Sequence, residues 1–357
     1  MNKIALAALL AAACGSAAAK DVLHLYNWNN ALSPDTARRF EQSCRCQLVQ
    51  DYYGDNEEML AKLAAGAKGY DMVFPTAFAV NTLLKQGKLQ PLDKSKLPNW
   101  KNLNAGYLAL NQPFDPGNRY AAPTVVSLTL IGYNATQLKK AGVDGSAGSW
   151  ALVFDPAVLA KIKGKVTVLD SQRELMAAAL MYLGRDANST NPADWKAAAD
   201  AIRRAKPYWA AFNNQSYIKE LTVGNIWVAL GYSNDLYQAQ QDAKSARRPF
   251  ELAYRPQREG NVLAIDNMTI LKDAPRPDLA HRFIDFMLDG KNAAEISNQI
   301  GATNPVKAAE AFFKPQIKAN PVIMLDPAGG KYVALKDLDV KSRRELNRLW
   351  SQVKIGR

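Results

Sequence analysis

Strand-like and helix-like segments alternate without a break from Asp21 to Pro75, and this rhythm narrows the possible folds more than any other feature of the chain. Val22-Leu23-His24-Leu25-Tyr26 reads as a strand. Ser33-Pro34 then offers an N-cap and a first helical residue, where proline's missing N–H costs nothing, for a helix through about Glu41. Gln47 to Tyr53 reads as the next strand. Asn56 to Ala65 follows as an amphipathic helix with Met59, Leu60 and Leu63 on one side, and Tyr70 to Phe74 as a third strand closed by Pro75. A β-α-β-α-β order implies a parallel sheet covered by helices on both faces, with ligands beyond the carboxyl ends of the strands.

The same grammar returns later. Lys165 to Asp170 reads as a strand, Glu174 to Leu183 and Pro192 to Lys206 as helices, and Asn225 to Leu230 as an apolar strand ending in Gly231. Val262 to Ile265 and Met268 to Leu271 are short apolar stretches flanking Asp266; helices are expected at Pro277 to Leu288, Asn292 to Ile300 and Lys341 to Lys354. There is no internal repeat. Single cores stop growing at about 250–300 residues, so 357 residues with 48% hydrophobic and 22% charged side chains predict two globular α/β lobes.

Met1-Asn2-Lys3, the apolar run Ile4 to Ala13 and small residues through Ala19 have the form of a secretory signal peptide over 1–19, too short to span a bilayer. Cys14 offers an alternative, lipid anchoring, although Leu10 lies one position too early for that motif. Removing Lys3 leaves 44 − 33 = +11 on the mature chain. Those cations come in pairs such as Arg203-Arg204 and Arg247-Arg248, which suits solvated helix faces and no nucleic-acid partner. Cys44 and Cys46, one residue apart, read as two small residues in a helix-to-strand turn, either free or locally bridged. The spacing is not a zinc pair, and the chain's two histidines, His24 and His281, do not complete one.

Enzyme signatures are missing: there is no phosphate loop, dinucleotide fingerprint, zinc-protease helix or nucleophile elbow. Ser216-Tyr217-Ile218-Lys219 matches S-x-x-K but lacks its companion motifs and reads as an ordinary helix start. The informative set is Tyr26-Asn27-Trp28-Asn29-Asn30 at the end of the first strand. Trp28 there offers its π face to a cation, where elsewhere it would read as core. Thr76, Glu174, Tyr232 and Asp235 take similar places, each just after a strand, although the two acids equally suit helix N-termini. Asp266 is the sharpest candidate, because a carboxylate among Val262, Leu263, Ile265 and Met268 needs a cationic partner.

Lys20 to Trp28, Gly69 to Thr76, Gln90 to Trp100, Ile131-Gly132-Tyr133-Asn134 and Tyr182 to Ser189 together carry a family pattern. On these segments the chain resembles the periplasmic putrescine/spermidine-binding proteins of ABC importers across nearly its whole mature length. The resemblance implies a type II periplasmic binding protein, two α/β lobes joined by crossing strands, divided as 21–128 plus 266–311 and 129–265 plus 312–357. It implies an aromatic wall at Trp28 with polar neighbours Asn29 and Asn30, a hydroxyl at Thr76, carboxylates at Glu174 and Asp235, Tyr232 in place of a cleft tryptophan, and Asp266 as principal ammonium acceptor. It further implies a monomer without cofactor or catalysis, partnered by an inner-membrane permease. Ala31, Ala264 and Ala302 stand where putrescine receptors carry aromatic residues, and Asn30 where they often carry an acid. The expected ligand is therefore bulkier than putrescine and bears at least one cationic amine. A metal receptor using Tyr52-Tyr53 or Cys44/Cys46, a ligand sensor for a membrane signalling partner, and an exported hydrolase with paired carboxylates are the other readings.

Overall fold

The computed structural model describes residues 21–28, 31–326 and 330–355; the leader over 1–19, Cys14, Asn29 and Asn30 lie outside these described residues. The strands are β1 (Val22–Trp28), β2 (Gln47–Tyr53), β3 (Met72–Val73), β4 (Leu89–Gln90), β5 (Ala121–Asn134), β6 (Val166–Val168), β7 (Ala211–Phe212), β8 (Val228–Tyr232), β9 (Leu252–Arg255), β10 (Asn261–Leu271) and β11 (Tyr332–Val333). The helices that matter here are α1 (Pro34–Cys44), α2 (Asn56–Ala64), α3 (Ala77–Lys85), α4 (Gln172–Tyr182), α5 (Pro192–Ala205), α6 (Tyr217–Val223), α7 (Ser233–Ser245), α8 (Pro277–Met287), α9 (Gly290–Ile300) and α10 (Val340–Ile355).

The main sheet runs β2-β1-β3-β10-β5-β8-β6-β7. β1 pairs in parallel with β2 and β3, and β6 with β7 and β8, so each flank has the expected α/β character. The centre differs from that expectation. β10 and β5 pair antiparallel, from Val262↔Thr129 to Thr269↔Ala121, and join the two flanks into one two-lobed α/β molecule. One large apolar cluster gathers Trp150, Trp195 and Tyr217 on the second flank; another gathers Phe40, Phe74 and Phe283 on the first.

β5 was not anticipated. All of its residues are buried, so it lacks the alternation that marks a half-exposed strand, and Pro123 within it argues against a central strand. Pro123 is accommodated because it stands opposite Asn267, where the ladder shifts register between Asp266 and Asn267. The two predicted stretches around Asp266 are one strand, and the extra residue of the bulge is Thr124 on β5, since Asp266 pairs with Val125 and Asn267 with Pro123; such an irregularity re-aims side chains.

The Ser33-Pro34 start of α1 behaves as read, while α1 runs on to Cys44 and α2 takes a cap the sequence reading did not single out. Ser33 Oγ accepts from the Thr36 N–H, and Asp55 caps α2 through the Glu58 N–H. At the other end of α1 the Arg45 and Cys46 N–H groups both donate to the Glu41 carbonyl, with Arg45 left-handed at φ 57°. Cys44 and Cys46 are joined in a disulfide, their Cα atoms 5.2 Å apart. Closing so short a loop removes little chain entropy, about 1.6 kcal/mol by the loop-length relation. Urea unfolding with and without reductant is therefore expected to differ by less than about 2 kcal/mol.

Candidate functional site

The carboxyl ends of β1, β2 and β3 meet the ends of β6 and β8 across the bulged β5–β10 ladder, around a cavity of about 630 Å³. Trp28, Thr76, Glu174, Tyr232, Asp235 and Asp266 all line it. Among the described residues lining the cavity there is no lysine or arginine.

Trp28 is fixed by its last-strand position. Its indole N–H donates to the Phe74 carbonyl at 2.8 Å, and its ring lies 4.5 Å from that of Tyr53, its register partner on β2. The Tyr53 hydroxyl donates to the same carbonyl at 2.7 Å. Tyr53 thus faces the cavity through the strand-end rule that singles out Trp28. Thr76 ends the β3 segment as the N-cap of α3; its N–H donates to Asn56 Oδ1 at 3.1 Å, while its own hydroxyl is buried without a hydrogen-bond partner. Thr76 also forms an antiparallel bridge with Asp266, which brings the two side by side.

Glu174 starts the buried face of α4 and accepts from the Thr129 hydroxyl at 2.6 Å. Burial pushes its carboxyl up to about 7, against the pull of that hydrogen bond and of the Arg173 guanidinium. Asp235, in the first turn of α7, accepts from the Tyr217 hydroxyl and from Asn234 Nδ2 at 3.0 Å; burial lifts it to about 6. Gly231 makes that contact possible, because a Cβ there would stand 2.4 Å from the Tyr217 ring. Burial, then the fields of Glu174 and Asp235, hold the Tyr232 hydroxyl well above its usual range, so it remains a neutral donor.

Asp266 sits at the bulge. Its Oδ1 is buried with no hydrogen-bond partner, and burial raises the carboxyl to about 8. No internal guanidinium occupies it among the described residues. Asp55, Glu58, Glu174, Asp235 and Asp266 line this base-free cavity, and burial raises the last three, so an incoming cation meets acids and no competing base.

Several contributors carried no sequence signal. Tyr217 and Thr129 act by positioning the two second-flank acids, and their partners are distant in the chain. Ala31 and Ala264 line the cavity as expected, whereas Ala302 is fully buried and does not. The donors offered for a metal are committed elsewhere: Cys44 and Cys46 to each other, the Tyr53 hydroxyl to Phe74, while Tyr52 is half exposed. No cluster of three or more metal-ligating side chains occurs among the described residues.

A family model described as bacterial extracellular solute-binding protein matches residues 37–324. The chain belongs to that family of bacterial extracellular solute-binding proteins. This solute-binding protein is 53% identical over 356 residues to a putrescine/cadaverine-binding protein of Pseudomonas aeruginosa, covering 99% of each chain. It is 36% identical to the putrescine-binding periplasmic protein PotF of Escherichia coli, covering 98% of this chain and 96% of that one. Among solved structures it resembles the Tp0655 (TpPotD) lipoprotein of Treponema pallidum, with a TM-score of 0.81, 26% identity, and 93% and 99% of the two chains covered. No helix among the described residues is long and apolar enough to cross a membrane.

The solute-binding protein is also tied across its cavity. Ala334 and Leu335 line it, and two residues on, Asp337 pairs with Lys85 of α3 at 3.2 Å and with Arg343 of α10 at 2.8 Å. Arg173 reaches over the Phe78 ring, 5.7 Å from its centroid, and donates to the Lys336 carbonyl at 2.7 Å. Asp337→Asn is expected to speed ligand release in stopped-flow displacement by up to about fivefold, since a pair with an exposed lysine contributes at most about 1 kcal/mol.

Proposed function

We propose that this protein is the periplasmic receptor of an ABC importer, capturing a polyamine or related cationic amine and presenting it to the inner-membrane permease. The observation that carries this reading is the base-free cavity in which Asp266, Glu174 and Asp235 face Trp28, Tyr53 and Tyr232. A flexible aliphatic polycation asks for that combination: carboxylates for its ammonium groups and aromatic faces for its methylenes. The names of the relatives, putrescine/cadaverine-binding and putrescine-binding, support the same chemistry.

In this reading Asp266 is the principal ammonium acceptor, Glu174 and Asp235 receive the far end of the ligand, Trp28 and Tyr232 flank its chain, and Thr76 adds a hydroxyl beside Asp266. Asn29 and Asn30, outside the described residues, are assigned by resemblance alone as polar neighbours of Trp28. The lobes divide at 21–128 plus 266–311 and 129–265 plus 312–357. The protein acts as a monomer without catalysis, exported through residues 1–19. Its net positive charge opposes capture at long range, but screening over about 8 Å leaves the local acids in command.

Native mass spectrometry of freshly purified protein, followed by calorimetric titration with putrescine and cadaverine, tests the reading. A bound amine and micromolar or tighter titration are expected; a protein that takes up neither diamine, and whose stability responds instead to an added metal and loses that response with chelator, refutes it.

A further inference from the structure

The cavity does not end at its acids. On the first lobe its wall continues between α8 and α9 as an apolar bay, lined by Leu32, Phe74, Phe283, Met287, Ile296 and Ile300. Phe74, Phe283, Met287 and Ile296 are otherwise deep in the first-lobe apolar cluster, each 5% exposed or less. Ala31 sits at the same wall, where a larger side chain would fill the space. A linear diamine needs none of this. Its ammonium groups are served by Asp266 and the second-lobe acids, and its methylenes by Trp28, Tyr53 and Tyr232. About 630 Å³ lies in the range of pockets that enclose a drug-sized molecule. Apolar wall left against water in such a cavity is stabilised when an apolar occupant covers it.

We propose that the preferred ligand is a diamine carrying an apolar alkyl or aryl substituent, its ammonium on Asp266 and its substituent in the bay between α8 and α9. This rests on the polyamine-receptor reading and specifies its ligand. Selectivity arises from the two walls together: the acids require positive charge, and the bay rewards apolar bulk that putrescine lacks. Unsubstituted diamines bind, with the bay unfilled.

Calorimetric titration of the full mature protein with putrescine and with N-benzylputrescine separates the possibilities, since both carry the same two nitrogens. N-benzylputrescine is expected to bind at least tenfold more tightly. Ile300→Trp, which fills the bay from its partly exposed rim, is expected to reduce that affinity ratio to one or below. Should this variant bind neither compound, Ala31→Phe takes its place with the same expected ratio. Putrescine binding as tightly as N-benzylputrescine in the wild type, or a ratio unchanged in whichever variant still binds, overturns the proposal and leaves the polyamine reading standing. Binding of neither compound by the wild type overturns both.

Discussion

Asp266→Asn is expected to weaken amine binding by about thirtyfold or more, from loss of a charge-assisted bond of about 2 kcal/mol, while making the empty protein harder to unfold at neutral pH. The two effects share one cause. Oδ1 of Asp266 is buried with no protein hydrogen-bond partner, so the protein itself leaves this polar group unsatisfied. Its folded-state pKa, raised to about 8, lies above the ordinary carboxylate value, so the folded protein binds the proton more tightly than the unfolded chain. Stability therefore falls as pH rises from about 4 to about 8, and the asparagine variant lacks that loss. Calorimetric titration checks the first effect, and thermal unfolding of ligand-free protein at pH 5 and pH 8 checks the second. A variant that binds the amine as well as wild type would move the ammonium site elsewhere.

Affinity for a diammonium ligand is expected to climb by on the order of a thousandfold between pH 6 and pH 8, with protons released on binding. Asp266, Glu174 and Asp235, raised to about 8, about 7 and about 6, hold protons in the empty cavity that must leave before the carboxylates pair with ammonium groups. Summing their occupancies gives about two protons released at pH 6, between about one and two at pH 7, and almost none at pH 9. Neighbouring charges modify rather than reverse this: Arg173 lowers Glu174 and Glu57 raises it, while the Tyr232 hydroxyl stays protonated throughout. Titration in buffers of different ionisation enthalpy counts the protons directly. A pH-independent affinity would mean that the three carboxyls are already ionised in the empty protein.

Most of the first lobe was legible in the chain, because its signals are local. The span of β2, the N-cap of α1 and the start of α2 depend on residues a few positions apart, and they fall where the alternation places them. The centre of the sheet was not legible. β5 is buried along its whole length and carries Pro123 and the bulge, and the apolar run of its partner β10 is broken by Asp266. The cavity residues divide the same way. Those at strand ends, such as Trp28 and Thr76, are named by position, and Asp266, in the middle of β10, by its apolar neighbours. Tyr217 is not: it reaches Asp235 only because Gly231 has no side chain, a relation between three elements that no single segment encodes. Ala302 was misplaced because sequence likeness aligns positions without saying which way a loop residue faces.

Asp266 stands beside the register shift of the central β5–β10 ladder, at the seam of the two flanks, while Glu174 and Asp235 stand on helices of the second flank. In the proposed receptor, a closure about that ladder is expected to move Asp266 least, so that an ammonium group reaches it before the second-flank acids.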